Sequence, residues 1–142
     1  IKYVGLKIKK LHNGDKFAGF MLDINNFKKI NDKYGHTLGD RVLIDVANLL
    51  VSVTSKQDYV ARFGGDEFVL IIDLSNESEI EAYKKIIREA CEKYNAQEKN
   101  IHTIDLSIGS ALFSKAEGMT PTRFLEIIDD RMYIDKQSTK SI

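Results

Sequence analysis

The heptapeptide Arg62-Phe63-Gly64-Gly65-Asp66-Glu67-Phe68 sets two glycines and two acids between two strand-like runs, Tyr59 to Phe63 and Glu67 to Ile72. Paired runs of this kind, separated by glycines, read as a β-hairpin with the glycines at the tight turn. The hairpin tip therefore carries Asp66 and Glu67. Upstream, Phe17 to Ile24 is an apolar run suited to a buried strand, interrupted near its end by Asp23, a charge where apolar packing should dominate.

Working outward, Phe27, Ile30 and Tyr34 fall at helical spacing and Gly35 follows as a terminator, which predicts a short helix after the first strand. Leu38, Val42, Leu43, Val46, Leu49, Leu50 and Val53 trace one face of a second helix, from about Leu38 to Val53, with Asp40 in its first turn. A third helix is predicted over Glu79 to Tyr94, preceded by Ser and Asn residues suited to capping. Ile101 to Phe113 alternates like a strand, and Gly109 within it signals a bulge or a close approach by another group. A last helix opens at Thr120-Pro121 and buries Phe124, Leu125, Ile128 and Met132. Helices alternating with strands, one pair forming a hairpin, predict an α/β (α+β) domain with a central mixed sheet flanked by helices.

At 142 residues and 43% hydrophobic content, the chain is the right size for a single domain, 1–142. Its 21 basic and 21 acidic side chains cancel, so no net field attracts nucleic acid or an anionic membrane, and a polyanion must be held by local arrangement. One cysteine, Cys91, excludes an internal disulfide, and three scattered histidines do not suggest a zinc site. No apolar run reaches the ~20 residues needed to cross a bilayer, and no signal pattern is seen, so no membrane contact by this fragment and a reducing, cytoplasmic setting are expected. The start at Ile1, directly in charged and apolar sequence, leads to the expectation of a domain excised from a longer signalling protein, whose full-length form could be membrane-anchored.

Asp23 at a strand end and Asp66 at a hairpin tip both sit beside apolar residues, where desolvating a carboxylate is costly. A divalent cation would compensate. Magnesium favours hard oxygen ligands and commonly takes only one or two carboxylates, leaving the rest of its shell to water and phosphate. Taken singly, each acid also has a plain reading: Asp23 as the cap of the following helix, Asp66 as a turn residue. The chain contains no G-x-x-x-x-G-K-[ST] motif, so a P-loop is not the phosphate holder.

The neighbours decide between these readings. Asp23-Ile24-Asn25-Asn26-Phe27-Lys28-Lys29-Ile30-Asn31-Asp32-Lys33-Tyr34-Gly35-His36, then Leu38-Gly39-Asp40, then the Gly64-Gly65-Asp66-Glu67-Phe68 hairpin together resemble the GGDEF family of diguanylate cyclases. The similarity is detailed from Phe17 to Leu70 and looser through Ser107-Ile108-Gly109 and Met132-Tyr133 to Lys136. The resemblance implies a nucleotidyl-cyclase, palm-like fold and the condensation of two GTP into cyclic di-GMP with release of pyrophosphate, for bacterial second-messenger signalling. It implies that Asp23, Asp66 and the backbone carbonyl of Ile24 hold Mg2+ (Mn2+ possible), with Glu67 close by, Asp66 as base toward the 3′-hydroxyl and Lys28 near the developing phosphate charge.

Guanine offers two adjacent donors and an acceptor, so a carboxylate beside an amide is a logical reader of its edge. Family similarity assigns that role to Asp40 and Asn31, with His36 nearby in a mainly structural role. Gly64 and Gly65 would let phosphates approach the backbone, and Lys136 is the basic candidate for the triphosphate. The resemblance implies that each domain holds one GTP, so that a homodimer is needed for turnover, and it implies an upstream sensor domain. The rival readings are a catalytically weak or inactive GTP-binding regulatory module and, third, a structural dimerisation module.

The chain departs from the family pattern in three places. The opening D-x-L-T-G-L-x-N-R segment does not stand before Phe17 at the expected distance; Val4-Gly5-Leu6 resembles it only superficially. The inhibitory R-x-x-D string is here Ser55-Lys56-Gln57-Asp58, and serine cannot supply arginine's forked contacts. Arg131 and Asp135 stand where the family usually has alanines, and Lys140 where an arginine is common. Asp135 could pair with Arg131 at i, i+4, or oppose the phosphates.

Overall fold

The computed structural model describes residues 16–100 and 102–140. The segment around Val4-Gly5-Leu6 lies outside the described residues. Four strands, β1 (Lys16–Ile24), β2 (Tyr59–Arg62), β3 (Glu67–Ile72) and β4 (Leu106–Ser114), form one sheet in the order β2-β3-β1-β4. The helices are α1 (Phe27–Tyr34), α2 (His36–Ser52), α3 (Glu77–Asn95) and α4 (Pro121–Lys140). The expected α/β architecture, with the glycine hairpin between β2 and β3, is present, but among the described residues the sheet is antiparallel throughout and not mixed as expected, because all three strand pairings run antiparallel.

β1 is central, which explains why its sequence KFAGFMLDI is apolar almost throughout: every residue after Lys16 is buried. Alternate side chains serve two cores, as strand geometry requires. Ala18, Phe20, Leu22 and Ile24 join Phe68, Leu70 and Ile72 of β3 against Val42, Val46 and Leu50 of α2 and Ile80 and Ile87 of α3. Phe17, Met21, Val69, Ile71 and Phe113 face the other way, against Phe124, Ile128 and Met132 of α4. Gly19 is required on that second face, because a Cβ there would lie 2.4 Å from the ring of Phe124.

The element ends follow local chemistry. Asn26 takes the left-handed conformation (φ 63°) that Asn tolerates better than most residues, and turns the chain from β1 into α1. Gly35, at φ 88°, both ends α1, donating its N–H to Asn31 O at 2.8 Å, and opens α2 two residues before the apolar stripe begins. Asn76 caps α3 by accepting from Glu79 N at 2.9 Å. β4 starts at Leu106, later than its alternation suggests. The side chain of Asn95 bonds both Ile104 N (2.7 Å) and Ile104 O (2.9 Å), so the backbone there is satisfied by a side chain instead of a ladder. Gly109 proves to be a close approach: a Cβ would lie 2.0 Å from Ile128 O and 2.2 Å from Met132 N, so α4 rests backbone to backbone on β4.

Candidate functional site

Antiparallel pairing of β1 with β3 sets Asp23 directly opposite Glu67, and Ile24 N–H donates to Asp66 O at 3.1 Å. The sheet register alone therefore gathers Asp23 with Asp66 and Glu67, which lie more than forty positions later in sequence, at one end of the two inner strands. α4 crosses that end and extends Lys136 into it, where Nζ donates to Asp23 Oδ2 at 2.6 Å. Asp23 is only 5% exposed, and its other oxygen, Oδ1, is buried without a hydrogen-bond partner.

The electrostatics of this group are strained. Burial first, then the adjoining Asp23 carboxylate, push Asp66 up to about 6, with Lys136 acting in the opposite direction. Glu67 is raised by burial and by the charges of Asp129, Asp23 and Asp66. Lys136 is raised chiefly by its bond to Asp23. Two ionised carboxylates cannot donate to one another, so a shared proton or a cation must relieve them. The chemistry fits a divalent cation: hard oxygen donors, an orphaned buried carboxylate oxygen, and an excess of negative charge that one lysine does not cancel. Among the described residues no group of three or more His, Cys, Asp or Glu side chains is placed to hold a metal ion by itself. A cation here would need water and phosphate to complete its shell, which is magnesium's usual habit.

Arg62 is a site residue that sequence reading missed. Its guanidinium donates from Nε to Gly64 O and Gly65 O, both at 3.1 Å, and from Nη2 to Gly65 O at 2.6 Å, fixing the turn that presents Asp66. The available signal was a forked donor placed two residues before a pair of glycines whose carbonyls face outward from a tight turn.

Asn31 packs against Gly39 across the helix junction. A Cβ on Gly39 would fall 1.7 Å from Asn31 Oδ1, so the amide lies against the backbone of the residue preceding Asp40. Asn31 Oδ1 is buried and unpartnered, whereas Asp40 is exposed; because α2 opens at His36 and not at Leu38, Asp40 falls just past the first turn and not within it as expected. Gly39→Ala should consequently push the Asn31 amide aside while favouring the helix, by up to ~1 kcal/mol for glycine to alanine. The expected result is a melting temperature equal to or above the parent's and, if Asn31 reads guanine as the resemblance implies, a GTP affinity reduced roughly tenfold, the loss of about one hydrogen bond to a charged or polar partner. Calorimetric titration and thermal melting on the same sample check both halves. Lys28 and His36 are exposed, on the first turns of α1 and α2. Gly64 is half-buried and Gly65 exposed, with open space around its Cα.

The family departures acquire concrete partners. Ser55 donates from both N (2.8 Å) and Oγ (2.9 Å) to Asp58 Oδ2, so the acid of the altered string is held by its own turn. Arg131 does not pair with Asp135: its Nη1 donates to Ser110 O at 2.7 Å. Asp135 instead accepts from Ile108 N at 2.8 Å and from Arg88 Nη2 at 3.3 Å.

A helix-flanked antiparallel sheet whose inner strands and glycine hairpin converge three acids and a lysine defines a domain of the nucleotidyl-cyclase type. A family model, "Diguanylate cyclase, GGDEF domain", matches residues 2–141, and the chain belongs to the GGDEF family. Diguanylate cyclase DosC of Escherichia coli K12 is 33% identical over 126 residues, 87% of this chain and 27% of the relative's length. The chain thus spans about a quarter of that relative. Among solved structures, the GGDEF domain of DgcB from Caulobacter crescentus in complex with c-di-GMP superposes with a TM-score of 0.76 at 27% identity, covering 87% of this chain and 73% of that one. The active GGEEF domain of a diguanylate cyclase from Vibrio cholerae gives 0.77 at 26% identity, covering 96% and 85%. No helix among the described residues is long and apolar enough to cross a membrane.

Proposed function

We propose that this chain is a diguanylate cyclase domain, one folded unit of a larger signalling protein, that condenses two GTP into cyclic di-GMP. The observation that carries the reading is the buried Asp23, facing Asp66 and Glu67 across the sheet with Oδ1 unpartnered and Lys136 on Oδ2. Asp23, Asp66 and the carbonyl of Ile24 would hold the divalent cations, magnesium or manganese, which when bound spread the charge that builds on the phosphates. Asp66 accepts the proton of the attacking 3′-hydroxyl as general base. The new bond forms between that oxygen and the α-phosphorus of the second GTP, and pyrophosphate leaves; a second, equivalent step closes the ring. Lys136 and Lys28 bind the triphosphate, Glu67 adds negative charge for the cations, and the open space at Gly65 admits phosphate to the backbone. Asn31 and Asp40 read the guanine edge, with His36 supporting the start of α2. One domain holds one GTP, so two protomers face each other for turnover.

Incubation with GTP and Mg2+ followed by ion-exchange chromatography should show cyclic di-GMP and pyrophosphate. Calorimetric GTP binding without product would assign a regulatory module instead, and absence of binding would refute the nucleotide reading altogether.

Product is expected to inhibit poorly, because Ser55 offers a single hydroxyl, already given to Asp58, where arginine would contribute a charged fork. The missing contacts should weaken that site by about tenfold or more, on the order of one charge-assisted hydrogen bond. Initial rates at rising cyclic di-GMP for the parent and for Ser55→Arg check this. Inhibition should appear in the variant; strong inhibition of the parent that is lost on Asp58→Ala would show that serine is tolerated.

A further inference from the structure

Three consecutive residues of β4 are each engaged by α4. Ile108 N–H donates to Asp135 Oδ2 at 2.8 Å, Gly109 lies under the helix backbone between Ile128 and Met132, and Ser110 O accepts from Arg131 Nη1 at 2.7 Å. The even-numbered residues of β4 direct their backbone groups away from β1, toward the outer edge of the sheet. Arg88 of α3 completes the rail, donating from Nη2 to Asp135 Oδ2 at 3.3 Å and from Nη1 to Leu106 O at 3.4 Å. This edge strand is therefore capped by charged side chains from two helices.

The residue after Asp135 is Lys136, whose ammonium meets Asp23 at 2.6 Å, and Asp23 pairs across the sheet with Ser107, next to Ile108. A helix advances about 1.5 Å per residue, and a slip of one turn displaces a side chain by about 5.4 Å. Such a slip would remove Lys136 from the acids altogether. The pairing of Asp135 with Arg88 and an amide also means that its negative charge is already engaged on the α3 side of the helix.

We propose that Asp135, through its bridge to the Ile108 amide and Arg88, is a positioning residue that sets α4 so that Lys136 reaches the triphosphate. This rests on the assignment of Lys136 to that role above. It gives the two departures from the family's alanines, Arg131 and Asp135, a common purpose: fastening the helix to the sheet edge beside the site. It also ties the outer surface of α3, through Arg88, to the nucleotide.

The test is a double-mutant cycle on binding of a non-hydrolysable GTP analogue with Mg2+, measured by calorimetry, with KM and kcat for GTP followed in parallel. Asp135→Ala should weaken analogue binding about tenfold, the scale of one charge-assisted hydrogen bond, and raise KM more than it lowers kcat. Asp135→Asn, which keeps an acceptor for the Ile108 amide, should recover most of the loss. Lys136→Met should weaken binding by a similar or larger factor, and the double variant should match Lys136→Met alone within about twofold, since residues acting through one another are not additive. Multiplication of the two single effects would overturn the positioning role while leaving Lys136 as a phosphate ligand. No effect of Lys136→Met would instead overturn the assignment of Lys136 itself. If Asp135→Ala melts below the assay temperature, Arg88→Met carries the same cycle, with the same two outcomes.

Discussion

Asp66→Asn is expected to abolish cyclic di-GMP synthesis without unfolding the protein. The substitution keeps the shape of the side chain and removes its charge and its capacity to accept a proton, so a metal ligand and the base are lost together. General-base removal alone commonly costs on the order of 10²- to 10⁴-fold in rate, and loss of a cation ligand adds to it. Stability should move in the other direction. Burial and the facing Asp23 already push the Asp66 carboxyl up to about 6, so at pH 8 the ionised acid opposes its surroundings in metal-free protein. A neutral amide removes that repulsion and can donate to Asp23, whose Oδ1 lacks a partner. In chelator at pH 8 the variant should melt at or above the parental temperature, while product formation in Mg2+ falls below about one per cent of the parent's, the low end of that range. Turnover close to parental would remove Asp66 from the chemistry. A large fall in melting temperature in chelator would make it a structural residue instead.

Asp40→Ala is expected to weaken GTP binding by about 10- to 100-fold and to leave ATP binding within about twofold of its starting value, as loss of charge-assisted hydrogen bonds to one base and not the other predicts. Adenine presents a different edge, with no donor pair for a carboxylate to accept. Asp40 is exposed just past the first turn of α2 and supports no core, so the fold should survive. Asn31, packed against Gly39, supplies the neighbouring amide and should retain part of the discrimination. Calorimetric titration of both nucleotides against parent and variant settles the comparison. Equal losses for GTP and ATP would show that Asp40 acts on the phosphates or on the helix, and not on guanine.

Much of the architecture was legible because its signals are local. The apolar run ending in Asp23, the glycines between two β-prone runs, the stripes on α2 and α3 and the proline at the start of α4 depend on residues close in sequence, and each element was found near its predicted bounds. Asp23, Asp66 and Glu67 were legible as candidates because a carboxylate in an apolar setting is costly enough to require a reason. Pattern reading placed β4 too early, since it could not foresee that Asn95, on α3, would satisfy both backbone groups of Ile104.

The sequence by itself determined the family, the alternation of helices and strands, and the chemical types available for a site. Tertiary structure alone decided which of those types meet. Antiparallel register set Asp23 against Glu67, and the crossing of α4 brought Lys136 to Asp23 from more than a hundred positions away. Arg62 as a clamp on the glycine turn, and Asp135 bound to Arg88 and Ile108 instead of Arg131, were equally beyond reach. The physical reason is that a side chain's charge and size are written in its own position. Its partner depends on sheet register and helix placement, and these are fixed only when the two cores close on either face of β1.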